Sequence, residues 1–89
     1  MNKNSNLYIE SSKILPLTDL CMGKKCKVKT LTSSGSIRRR MLDLGLISNT
    51  EIEVLNQSPS GDPVAYLIRG AVIAIRKEDA SNILVEALL

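Results

Sequence analysis

Residues 51–55 read Glu-Ile-Glu-Val-Leu, with acids at one parity and branched aliphatics at the other. A period of two predicts a strand with Ile52 and Val54 toward a core and Glu51 and Glu53 toward water. Residues 26–31 alternate in the same way and predict a second strand, Val28 inside, Lys27 and Lys29 outside. Residues 64–69 and 71–76 are two apolar runs around Gly70, which predict two strands joined by a tight hairpin or a sharp bend. Residues 83–88 predict a closing strand. Only one stretch has the longer helical period. Over residues 37–44, Ile37, Met41 and Leu44 stand at i, i+4 and i+7, and Leu42 widens that stripe.

Turn residues punctuate these elements. The serines of residues 32–36 are candidate caps for the helix. Gly45 stands where a helix ends in a left-handed residue, and Leu46 then falls where it folds back on Met41. Residues 58–63, Ser-Pro-Ser-Gly-Asp-Pro, form a turn in which Gly61, Asp62 and Pro63 are structural, with Pro63 opening the next strand. Residues 77–81 give one helical turn. Pro16 makes residues 14–17 an extended lead-in, followed by a short turn at 18–20 ahead of Gly23. Residues 1–13 are polar, read as a flexible tail with an apolar patch at Leu7-Tyr8-Ile9; the domain then covers residues 14–89. Five short strands with tight links, one inserted helix and a helical turn before the last strand predict a mainly β, small, partly open barrel.

Length and composition narrow the chemistry. With 89 residues there is room for one domain and no cleft between lobes. With two Tyr, no Trp and no Phe, the core must be aliphatic. With no His, the commonest general base and the commonest transition-metal ligand are missing. No serine has a His to activate it, the carboxylates fall on outer strand positions or turns, and no glycine-rich phosphate cradle is encoded. The chain therefore reads as a non-enzyme with no cofactor and no metal site. No apolar run approaches the roughly 20 residues of a membrane-spanning helix, and the start lacks an export signal, so the cytoplasm is the expected compartment. Cys21 and Cys26 have no second pair and no His to complete a tetrahedral site, and read as reduced thiols, one of them packed in a strand, with a redox pair or a soft iron site as the alternatives.

The charge is unevenly spread. Net charge is +3, but residues 24–40 hold Lys24, Lys25, Lys27, Lys29, Arg38, Arg39 and Arg40 with no acid, while residues 41–89 carry more acids than bases. Such a segment steers an acidic partner toward the protein. Arg38, Arg39 and Arg40 are consecutive on the helix, where each residue turns about 100°, so they cannot share one face. Arginine forks suit carboxylates and phosphates alike. Single-strand nucleic-acid binders add aromatic platforms, and here Tyr66 is the only ring in the barrel strands, which argues against nucleic acid.

Taken together, Arg-Met-Leu-Asp-Leu-Gly-Leu over residues 40–46, preceded by Arg39, then Thr50-Glu-Ile-Glu-Val, Pro59-Ser-Gly-Asp-Pro, Ile68-Arg-Gly, Ile73-Ala-Ile-Arg and Glu78-Asp-Ala resemble the FeoA family of ferrous iron transport proteins, from about residue 15 onward. Ser48-Asn49 stands where that family often has Pro-Gly, and Asn tolerates the left-handed turn. The resemblance implies an SH3-like barrel and a small accessory role beside FeoB, a membrane Fe(II) transporter with a cytosolic GTP-binding domain. It implies contact with the membrane only through that partner. The same module also forms the C-terminal domain of metal-dependent repressors, which remains a second placement beside a basic nucleic-acid-binding barrel. SH3-like folds take proline-rich ligands on aromatic-lined grooves, and this chain lacks those rings. The expectation is docking through Arg38, Arg39 and Arg40, with Leu46 or Ile47 exposed for apolar contact. Self-association through barrel edges or the apolar residues 87–89 stays open.

Overall fold

A computed structural model describes residues 13–88. The apolar patch at Leu7-Tyr8-Ile9 and the last residue, Leu89, lie outside the described residues. The elements in chain order are β1 (Ile14–Pro16), a 3-10 turn (Leu17–Asp19), β2 (Lys25–Leu31), α1 (Gly35–Asp43), β3 (Glu51–Gln57), β4 (Val64–Ile68), β5 (Ala71–Ile75), α2 (Lys77–Ala80) and β6 (Ile83–Ala87). The six strands form one antiparallel sheet in the order β1-β6-β2-β3-β4-β5. The five expected strands and both helical pieces are present, and the extended lead-in is a sixth strand. Leu15 lies opposite Val85 and Pro16 opposite Leu84, so β6 is flanked on both sides. A proline is tolerated there because β1 is an edge.

Alternation builds the core. Cys26 and Val28 of β2, Ile52 and Val54 of β3, Val64, Tyr66 and Ile68 of β4, and Ile83 and Val85 of β6 all point inward. In β2 the inward series runs 26, 28, 31. The register with β6 slips by one residue between Val28 and Thr30, which returns Leu31 to the core face. A second slip lies between Val54 and Asn56 against β4. Such bulges bend and twist strands, and two of them curl this sheet around its side chains. Tyr66 is the one ring in the core, and the rest is aliphatic apart from Cys26 and Met41.

α1 ends as its sequence requires. Gly45 has φ +99°, its N–H donates to the Leu42 carbonyl at 3.0 Å, and the Leu46 N–H donates to the Met41 carbonyl at 3.1 Å. These are the two bonds of a Schellman cap. Both Met41 and Leu46 are about 1% exposed, so the cap drives Leu46 into the core. Leu46 is therefore not the exposed docking residue expected of it. The serines differ from expectation too: Ser34 holds the N-cap position, yet its hydroxyl makes no capping bond. Instead of a wide stripe, only Met41 of α1 is fully buried, while Ile37 and Leu42 are exposed. A nine-residue helix lying on a small barrel touches it along a narrow line, too narrow to cover flanking positions.

Side chains complete the turns. The Thr50 hydroxyl donates to the Gly45 carbonyl at 2.8 Å, and Asn49 takes the left-handed conformation with φ +73°. In the 58–63 turn the Gly61 N–H donates to the Ser58 carbonyl at 2.8 Å, and the Asp62 carboxylate accepts the Lys77 backbone N–H at 2.9 Å. Asp62 thus caps the first turn of α2 from a distant part of the chain. Between β4 and β5, Arg69 (φ +52°) and Gly70 (φ +84°) form a two-residue turn with both residues left-handed, the type I′ hairpin.

Gly45 is confined twice, by its φ and by the Arg69 stem, which a Cβ at Gly45 would strike. Gly23 also has a positive φ, +85°, but open space around it. Gly45→Ala should therefore lower unfolding free energy by about 2–3 kcal/mol, and Gly23→Ala by about 1 kcal/mol, measured by urea denaturation. Equal losses would contradict this account of the cap.

Candidate docking face on α1

The three consecutive arginines separate as the helical period requires. The Arg38 guanidinium donates to the Leu31 carbonyl at the end of β2, at 3.0 Å. The Arg40 guanidinium reaches the Asp79 carboxylate of α2 at 3.1 Å. Asp79 is only 7% exposed, the one buried charged residue among those described, and Arg40 answers its charge. Because most of the Arg40 side chain lies in water, that pair contributes roughly 0–1 kcal/mol. These two arginines tie α1 to β2 and α2. Arg39, between them, is exposed and makes no hydrogen bond or ion pair among the described residues. Of the three arginines expected to dock, Arg38 and Arg40 are thus bonded within the fold, and Arg39 has no partner among the described residues.

Apolar surface accompanies Arg39. Leu42 (38% exposed) lines a shallow hollow with Gly35, Arg38 and Arg39. Ile47, 49% exposed, follows the cap. Sequence reasoning placed Leu42 on the buried stripe. Its position four residues after Arg38, one turn on, was the available sign that it shares the basic face. Leu42 and Ile47, unlike buried Leu46, present apolar surface.

The sheet disperses most of the remaining basic charge. Lys25 lies opposite Glu53, and Lys27 opposite both Glu51 and Glu86. Lys29 pairs with Glu86 at 3.5 Å. Opposite charges facing across strands make a mixed surface rather than a continuous positive one. Tyr66 is buried, so no barrel strand presents a ring for stacking.

The thiols differ. Cys21 is exposed and Cys26 is buried, and neither is in a disulfide. Burial, with a smaller contribution from the Glu51 charge, pushes the Cys26 thiol up to about 12. Burial likewise pushes Tyr66 up to about 12, helped by Cys26 and Asp62. A thiol held protonated in the core is a packing group, not a nucleophile. Among the described residues, no three or more Cys, Asp or Glu side chains gather as a cation site, and no helix is long and apolar enough to cross a membrane.

A family model described as the FeoA domain matches residues 15–87. Over 72 residues the chain is 32% identical to a fusion of Fe(2+) transport protein A with the Fe(2+) transporter FeoB from Porphyromonas gingivalis; the match covers 81% of this chain and 8% of that relative's length. The NMR structure of a FeoA-like protein from Clostridium acetobutylicum superposes with a TM-score of 0.81 at 36% identity, covering 88% of this chain and 91% of that one. The zinc-complexed FeoA of Stenotrophomonas maltophilia, described as a prokaryotic SH3 domain protein, superposes with a TM-score of 0.72 at 21% identity, covering 80% and 88%. The last comparison shows a shared fold, and with it the expected SH3-like barrel.

The buried acids set an alkaline limit. Cys26 and Tyr66 start from 9.0 and 10.0 and both rise to about 12 on folding, so the folded chain holds their protons more tightly than the unfolded one. Their contribution is complete below pH 9 and is lost as pH rises toward about 12. Unfolding free energy, followed by urea titration across pH, should stay level from 7 to about 9 and then fall. Cys26→Ala should delay the onset toward pH 10, where only Tyr66 remains. Stability that climbs over this interval would contradict the assignment.

Proposed function

The chain belongs to the FeoA family of ferrous iron transport, and from that premise we propose that it is a non-catalytic accessory protein that docks onto the cytosolic region of a FeoB-type Fe(II) transporter. The observation that carries this reading is the fusion of a similar segment to the transporter in one relative. Two modules in one chain meet at high effective concentration, so even a weak face on one engages the other. In this reading residues 14–89 act as the docking domain, in the cytoplasm, and reach the membrane only through the transporter.

The face of α1 has the chemistry for such contact. Arg39 offers a planar fork for a carboxylate, Leu42 offers apolar area beside it, and Ile47 offers a further exposed apolar side chain past the cap. Arg38 and Arg40, already bonded to β2 and α2, hold the helix in place, so little order is lost on binding.

Arg39→Glu should weaken binding to the soluble cytosolic domain of the cognate transporter by about tenfold at low salt, and by less at high salt, as read by NMR titration. The unfolding midpoint should not change, because Arg39 bonds nothing among the described residues. Equal affinity of variant and parent at low salt would contradict the reading.

A further inference from the structure

The sheet leaves β5 as an edge, and the neighbouring residues are arranged to receive another strand. Ile68 and Ala71 flank the two-residue turn and form a hydrogen-bonded pair, so alternation turns the N–H and C=O groups of Val72 and Ala74 away from β4. Among the described residues these groups have no partner. The edge is not protected by the usual devices. β5 reads Ala-Val-Ile-Ala-Ile, without charge, proline or bulge, and Val72 is 68% exposed. The opposite edge, β1, is three residues long and contains Pro16.

Beside β5 runs a groove of about 450 Å³, with Arg40, Met41 and Leu44 of the α1 segment on one side and Ile73, Ala74 and Ile75 on the other. Arg76 and Asp79 also line it. A groove between a helix and a free strand edge is a geometry in which extended peptides add a strand: backbone bonds give affinity and alternate side chains give selectivity. Two guanidinium groups against one carboxylate leave the groove positive.

We propose that this groove binds an extended segment of a partner protein, apolar at alternate positions with acidic residues between, which pairs with β5 as a seventh strand. The apolar residues would lie against Val72 and Ala74 on the open face of the strand, and the acidic ones would enter the groove toward Arg40 and Arg76. A second copy of this chain is a poorer occupant. Antiparallel pairing of two β5 edges about Ile73 sets Arg69 of one copy beside Arg76 and Lys77 of the other, cation against cation. This inference is separate from the α1 docking face, because its contacts are β5 backbone groups, Arg40 and Arg76 and not Arg39 or Leu42.

The probe is a capped heptapeptide, Ser-Val-Glu-Val-Glu-Val-Ser, titrated into the labelled full-length chain and followed by NMR. Its counterpart has Lys in place of both Glu. The Val72 and Ala74 amide protons should move downfield as they gain hydrogen bonds, and the Lys peptide should bind about tenfold more weakly or not at all. Ala74→Pro removes one outward donor while leaving the bonds to β4, and should weaken the Glu peptide by about tenfold. Arg76→Glu, which touches no backbone donor, should narrow or reverse the preference between the two peptides. Shifts confined to residues 38–42, equal binding of both peptides, or broadening of Val72 and Ala74 with protein concentration alone would overturn the proposal. The last of these would assign the edge to a second copy.

Discussion

At Gly45 the backbone leaves α1 with a φ that a side chain resists, and the next residue, Leu46, is pulled into the core by its bond to the Met41 carbonyl. Much of the proposed docking surface depends on that reversal. The Thr50 hydroxyl bonds the Gly45 carbonyl, the Arg69 stem lies over the glycine, and β3 begins directly after. One end of the helix is thereby fixed to the turn before β3 and to the β4–β5 hairpin. Arg38 bonds β2 near the far end and Arg40 pairs with Asp79 in the middle, which leaves Arg39 and Leu42 on the outer side of α1.

Much of this was legible in the residues because the relevant signals are local. The two-residue period of residues 51–55, the Gly-Leu pair after Met41-Leu-Asp-Leu and the Arg69-Gly70 turn each specify backbone geometry within a few positions. What stayed hidden depends on distant partners. Pro16 suggested extended chain but not its pairing with β6, which lies some seventy residues away. The lysines of β2 looked like a basic patch until their register set them against Glu51, Glu53 and Glu86. Asp62 read as a turn former, and its capping of α2 needed the tertiary fold. Leu46 and Leu42 exchanged roles because a helical stripe says which side is apolar, not how much of that side the barrel covers.

The same geometry organises the electrostatics. A basic segment adjoining an acidic remainder could have produced a strong dipole, yet antiparallel pairing interleaves the two on the sheet face. Uncompensated charge is left mainly on α1 and around Arg76. On α1 that charge lies beside exposed Leu42, and Arg76 lines the groove with exposed Ala74. These mixed surfaces fit the proposed docking role, in a family one of whose relatives is fused to a transporter.

The most direct test of the central claim is site-specific photo-crosslinking in intact membranes that carry the full-length FeoB-type transporter. A photoreactive side chain is placed at position 42 or 47 on the α1 side, or at position 53 on the mixed-charge sheet face. The account predicts crosslinks to the transporter from positions 42 and 47, and none from position 53. Crosslinking from position 53, with positions 42 and 47 silent, would contradict it.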